Sequence, residues 1–135
     1  MNKEELSNYL KANAELSRLK EKISDLREKI EKPRSASYFE TTKGSERKDF
    51  TDYIDKLIDL SEIYAKRARI IIDEQIRIET AIEAIDDPTS RAILGYRYID
   101  SLDWQSISEK INYSYVHTVY RLHPKALNEF ENINL

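Results

Sequence analysis

The chain has 135 residues, of which 35% are charged, with two glycines, no cysteine and a formal net charge of −3. Lack of cysteine excludes a disulfide framework, a thiolate zinc site and a cysteine nucleophile, and no apolar run approaches the ~18 residues of a membrane span. The start MNKEELSNYL is polar and acidic, unlike a signal peptide, so the expectation is a soluble, cytoplasmic, mostly helical protein of one or two small domains.

Charge is unevenly spread. Residues 1–48 carry twelve Lys/Arg against nine Asp/Glu, and residues 49–87 carry five against eleven. Residues 88–135 carry five of each. The last third is therefore neutral, which counts against strong autonomous binding to nucleic acid.

The spacing predicts one long helix over 3–32. Tyr9, Ala12, Leu16, Leu19, Ile23, Leu26 and Ile30 recur at alternating steps of three and four, a heptad seam. A stripe this narrow needs a partner helix. Pro33 ends it. Residues 33–47 lose the periodicity and collect Pro, Gly, Ser and Thr, so they read as a loop. Tyr38 and Phe39 are its large apolar residues, to be packed on the helices or shown to a partner.

A second heptad pattern fills 49–86. Phe50, Leu57, Tyr64, Ile71, Ile78 and Ile85 sit seven apart, with Ile54, Ser61, Ala68, Gln75 and Ile82 between them. The helix would be ~55 Å long. Ser61 and Gln75 weaken its seam but can set register. Tyr53, Ile58, Leu60, Ile63, Ile70, Ile72 and Ile76 widen the stripe, which suggests more than one neighbour: the first helix, and a second subunit or the C-terminal domain. Opposite charge favours laying the two helices side by side, within one chain or between two.

Pro88 disfavours helical geometry at the residue before it, so the long helix should stop near Asp86. Asp87 can cap a new helix with Pro88 in its first turn. Ile93, Leu94 and Tyr98 follow at helical spacing, and Ser101-Leu102-Asp103 breaks the pattern. Asp103 can cap a helix over Trp104–Ile111, on which Trp104, Ile107 and Ile111 form an inner stripe. Asn112 enters the left-handed region at low cost. Ser114 can cap a further helix with Val119 and Leu122 on one face. Helix, short turn, capped helix is the helix-turn-helix pattern. Gly95 inside a helical pattern costs about 1 kcal/mol relative to Ala, with close helix packing as the expected reason. Pro124 removes a bond to the carbonyl of Tyr120; either the helix kinks there or His123 caps a separate segment over 124–132.

The runs Tyr96-Arg97-Tyr98-Ile99, Leu102-Asp103-Trp104-Gln105-Ser106-Ile107-Ser108, Asn112-Tyr113-Ser114, Tyr120-Arg121-Leu122-His123 and Lys125-Ala126-Leu127 resemble bacterial sigma-70 region 4. More closely, they resemble the prophage-encoded sigma-region-4-like regulators of the ArpU and RinA type, activators of phage late genes. The resemblance covers roughly residues 90–130. Ser108 stands where that family usually has Ala, Asn112 where it often has Gly, and the spacing from Ser114 to the Arg121 run is one residue longer. The resemblance implies a phage or prophage transcription regulator that binds promoter or operator DNA and touches RNA polymerase.

In such motifs the N-terminal part of the last helix reads base edges. The candidates are Ser114, Tyr115, His117, Thr118 and Arg121, with Gln105 and Lys125 placed for phosphates. Arg121 is the best donor, because its fork matches guanine edges and phosphates. Each of these also reads as part of a solvated helix face, and Trp104 reads as core. His117 and His123, six apart, do not share a helix face and suggest no metal site. With no phosphate loop, catalytic triad or carboxylate pair, neither an enzyme nor a cofactor is expected.

The sequence thus predicts an all-α protein: a helical hairpin or coiled-coil stalk over 1–86, and a helix-turn-helix domain over 87–135. The expected partner is double-stranded DNA, bound by a homodimer joined through the stalk. One alternative is a module that binds RNA polymerase without autonomous DNA binding. The other is a coiled-coil assembly protein of the phage packaging type.

Overall fold

The computed structural model describes residues 1–31 and 44–134. All regular elements among them are helical. Two long helices, α1 (Glu4–Glu31) and α2 (Gly44–Glu83), precede a set of shorter ones. These are α3 (Pro88–Leu94), which runs on into a π-helical turn over Gly95–Ile99, and α4 (Trp104–Ile111). Then come α5 (Tyr115–His117), a second π-helical turn over Thr118–Leu122, and α6 (His123–Glu131). The Pro33 stop, Tyr38 and Phe39 lie outside the described residues. The expected loop is shorter than its 33–47 reading, because α2 already begins at Gly44. At its other end α2 stops at Glu83, three residues ahead of Asp86, and Ala84 and Ile85 close it with bonds back to Ala81 and Ile82.

The chain forms two compact units, Met1–Asn13 with Ile70–Leu135, and Ala14–Arg69. The start of α1 belongs to the first of these units. Leu6, outside the heptad seam, is completely buried, and Tyr9 is nearly so.

In the unit Ala14–Arg69 a single seam is covered. Leu19 and Ile23 are buried, while Phe50, Ile54, Leu57, Ser61, Tyr64 and Ala68 are each half-buried. The two helix segments run antiparallel: Leu26 and Lys29 share a groove with Lys56 and Leu60, and Glu15 and Arg18 share another with Arg67. Lys29 sits over the Tyr53 ring at 5.6 Å. Ile58 and Ile63 stay exposed, as expected where two helices cover only one stripe each.

In the other unit the heptad positions Ile71, Ile78, Ile82 and Ile85 are buried with Leu6 and Tyr9. Gln75, the polar interruption of that seam, accepts a hydrogen bond from the Tyr9 hydroxyl at 3.1 Å. Glu5 and Arg77 pair at 3.0 Å alongside. Polar partners at fixed positions penalise a slipped register, because slippage would leave them unpaired in the seam. The short helices complete this core with Ile93, Leu94, Tyr98, Ile107, Ala126 and Phe130. α3 packs against α4, α6 and the second π turn, and α4 packs against that same turn.

Candidate nucleic-acid interface

Three side-chain caps set the frame of the short helices. Asp87 Oδ1 accepts from Thr89 N at 3.0 Å, and its Oδ2 accepts from the Ser90 hydroxyl at 3.2 Å. Asp103 accepts from Ser106 N at 2.8 Å, and Ser114 from His117 N at 3.1 Å. Each satisfies amide groups that a helix start leaves without partners. The carboxyls of Asp87 and Asp103 are held below their ordinary range, Asp87 chiefly by the Lys125 ammonium and Asp103 by the Ser106 amide.

The turn between α4 and α5 is closed by Asn112. It adopts φ 60° and ψ 40°, and its amide bonds back to the Ser108 carbonyl, as does that of Tyr113. Asn tolerates this left-handed geometry where most side chains clash. Ser101, before α4, is the other non-glycine residue with positive φ among those described, at 56°. Buried Ser108 donates to the Trp104 carbonyl at 2.7 Å, so its hydroxyl is satisfied within α4.

Past Ser114 the chain stays helical to Glu131, through the π turn. His123 does not cap a separate segment: it lies in helical geometry, and Leu122 before it makes no side-chain cap. A π turn carries more residues per turn than an α turn and takes up an inserted residue. This one covers Thr118–Leu122, downstream of the Ser114 cap. It also sits just before Pro124, whose missing N–H would otherwise interrupt an α ladder.

This geometry sorts the candidate residues. Thr118 is fully buried, and its hydroxyl donates to the Ser114 carbonyl at 2.8 Å. It is a core residue and presents nothing outward. Tyr115, Val116, His117, Tyr120 and Arg121 are exposed. The pairs Val116/Tyr120 and His117/Arg121, each four apart, make the outer face of this segment. His117 stacks on Tyr113 with ring centroids 5.4 Å apart. Ser114 spends its oxygen on the cap. Gln105 donates to Glu109 at 3.1 Å. Lys125 pairs with Asp87 at 2.8 Å and with Glu129 at 3.6 Å.

The other cations of residues 88–134 are also engaged. Arg91 donates to the carbonyls of Ile85 and Asp86. Arg97 donates to the Leu102 carbonyl at 3.1 Å and lies 4.8 Å from the Trp104 ring centre. Lys110 sits over the Tyr96 ring at 5.7 Å. Arg121 alone among them makes no such contact with the described residues. Sequence reasoning ranked Arg121 first but missed Val116 and Tyr120, which are 64% and 69% exposed. Their step of four, out of phase with Val119 and Leu122, was the available signal.

The Trp104 ring packs on His123 at 4.5 Å, and the Tyr98 hydroxyl meets His123 Nε2 at 2.8 Å. Burial, and then the neighbouring Arg97 charge, lowers the His123 pKa to about 4. Gly95 does not serve close packing: a Cβ there would meet nothing within 4 Å.

Among the described residues no group of three or more His, Asp or Glu is placed to hold a metal ion. No helix among them is long and apolar enough to cross a membrane. A family model with the description "Protein of unknown function (DUF1492)" matches residues 33–131. No curated protein and no solved structure matches the chain.

Proposed function

We propose that this chain, which belongs to the DUF1492 family, is a transcription regulator that binds promoter DNA through the segment Tyr115–Leu122. The observation that carries the proposal is the state of Arg121. It is exposed and uncommitted, on the outer face of a capped helix that follows a tight left-handed turn. A helix so placed presents its first turns to the major groove, and a free guanidinium fork is the side chain best matched to guanine and phosphate oxygens. Resemblance of residues 90–130 to the prophage sigma-region-4-like regulators supports the same reading and a phage or prophage setting.

Affinity in such a domain depends on pairing or on a second protein, because its charge is neutral and most of its cations are occupied. Two copies joined through their long helices would present two reading helices, and the bound site would then carry two-fold symmetry.

The test is selection from random duplexes at two salt concentrations, with the protein and its Arg121→Ala variant. Enrichment of a motif that the variant fails to enrich supports the reading, and a two-fold repeat within it supports the dimer. No binding at low salt overturns it. One observation favours a second reading, a module that binds RNA polymerase and leaves DNA contact to it: the engagement of Arg91, Arg97, Lys110 and Lys125 within the fold. Retention of polymerase by a protein that fails to bind duplexes would establish that reading instead.

A further inference from the structure

We infer that the outer face of the Tyr115–Leu122 segment recognises the 5-methyl groups of thymines, so that its ligand is duplex DNA with thymine beside the Arg121 contact. The inference rests on the DNA-binding reading above and adds to it the chemistry that selects the site. Every base pair offers hydrogen-bonding groups in the major groove, but only thymine offers a methyl there. The composition of the face decides between the two kinds of readout.

From Tyr115 to Leu122 there is no Asn, Gln, Lys, Asp or Glu. Such side chains make most of the bidentate base contacts, and here Arg121 is the one residue of that kind. Thr118, the remaining aliphatic hydroxyl, is buried and already bonded. Alongside the exposed Tyr115, His117 and Arg121, the face presents Val116, which has no hydrogen-bonding group in its side chain, and Tyr120, largely an apolar ring. They lie four residues apart on one side of the helix, next to the His117/Arg121 pair. Nothing among the described residues covers them. Apolar side chains gain by leaving water for another apolar surface, and the thymine methyl is the apolar group that a major groove supplies. The exposed cation beside them complements the phosphates and guanines of the same duplex, which favours DNA over an apolar protein surface as the occupant.

The experiment uses the duplex pool selected by the full chain, amplified either with thymidine or with deoxyuridine. Uracil keeps the pairing and the hydrogen-bonding edge and lacks only the methyl. The expected result is weaker binding of the uracil pool, by about fourfold for each contacted thymine, as loss of one buried methyl predicts. Val116→Ala and Tyr120→Ala, both at exposed positions, should keep the thermal melt of the parent and lose part of this discrimination. Together they should bind the two pools alike. Arg121→Ala should weaken both pools equally.

Equal binding of the two pools by the parent protein overturns the inference and leaves the DNA-binding reading intact. So does discrimination that survives undiminished in the double variant, because the methyls would then act elsewhere. Failure of the parent to bind either pool overturns both.

Discussion

The hydroxyl of Tyr98 and Nε2 of His123 lie 2.8 Å apart, joining the first π turn to the start of α6 across 25 residues of sequence. Trp104 packs against the same imidazole, and Arg97 packs against Trp104. The short helices thus meet at one partly buried neutral histidine.

That histidine makes stability depend on pH. Its folded pKa is lowered from 6.5 to about 4, so the unfolded chain takes up a proton that the folded one refuses. The contribution is fully present above pH 6.5 and is lost as pH falls toward about 4, below which it changes no further. Allowing for screening at its exposed edge, the loss should reach about 1–2 kcal/mol. Thermal melts between pH 7 and pH 5 should show Tm falling. His123→Gln should flatten that fall; a slope unchanged in the variant would place its cause elsewhere.

Gly95→Ala should stabilise the protein. The residue is helical, at φ −62° and ψ −50°, and its missing Cβ faces open space. Alanine lowers the entropy of the unfolded chain without a clash, for a gain of about 0.5–1 kcal/mol. Urea denaturation would reveal it as a higher midpoint at constant slope. A lower midpoint would mean that the π turn starting there needs glycine.

Leu6→Ala should be among the more damaging changes in α1, although the residue lies off the heptad seam. Its side chain is completely buried, and such truncations cost about 2–5 kcal/mol. Leu10, one turn on and only half-buried, should tolerate the same change better. Equal Tm losses in the two variants would contradict the burial pattern.

At Asn112 the backbone, not the side chain, sets the requirement. Asn112→Gly should leave stability within about 0.5 kcal/mol, whereas Asn112→Val should cost at least about 1 kcal/mol, because a β-branched residue strains at φ 60°. Amide exchange at Tyr113, bonded to the Ser108 carbonyl, would show whether the loss begins at this turn.

The local signals were legible because they act over a few residues. Asp87, Asp103 and Ser114 are caps in the structure as their positions before helical stripes predict, and Asn112 takes the left-handed geometry. The heptad spacing likewise identified a pair of long helices, since a repeat of seven states which side of a helix is covered. The π turns were not legible: one extra residue in a turn alters no composition, and the cue near the second was a proline that two readings fitted equally well.

What the sequence by itself determined is the helical class, the caps and the stripes, all set by backbone preference and periodicity within single elements. Only the tertiary structure decided which side chains are spent inside the fold. Thr118 and Lys125 stand beside Arg121 as candidates in a linear reading, yet burial takes the first, and the second pairs with Asp87, 38 residues away. Tertiary contacts also drew Leu6 into the core and left Val116 and Tyr120 outside. Periodicity assigns a residue to a face of its own helix, but whether that face is covered depends on partners far away in the chain.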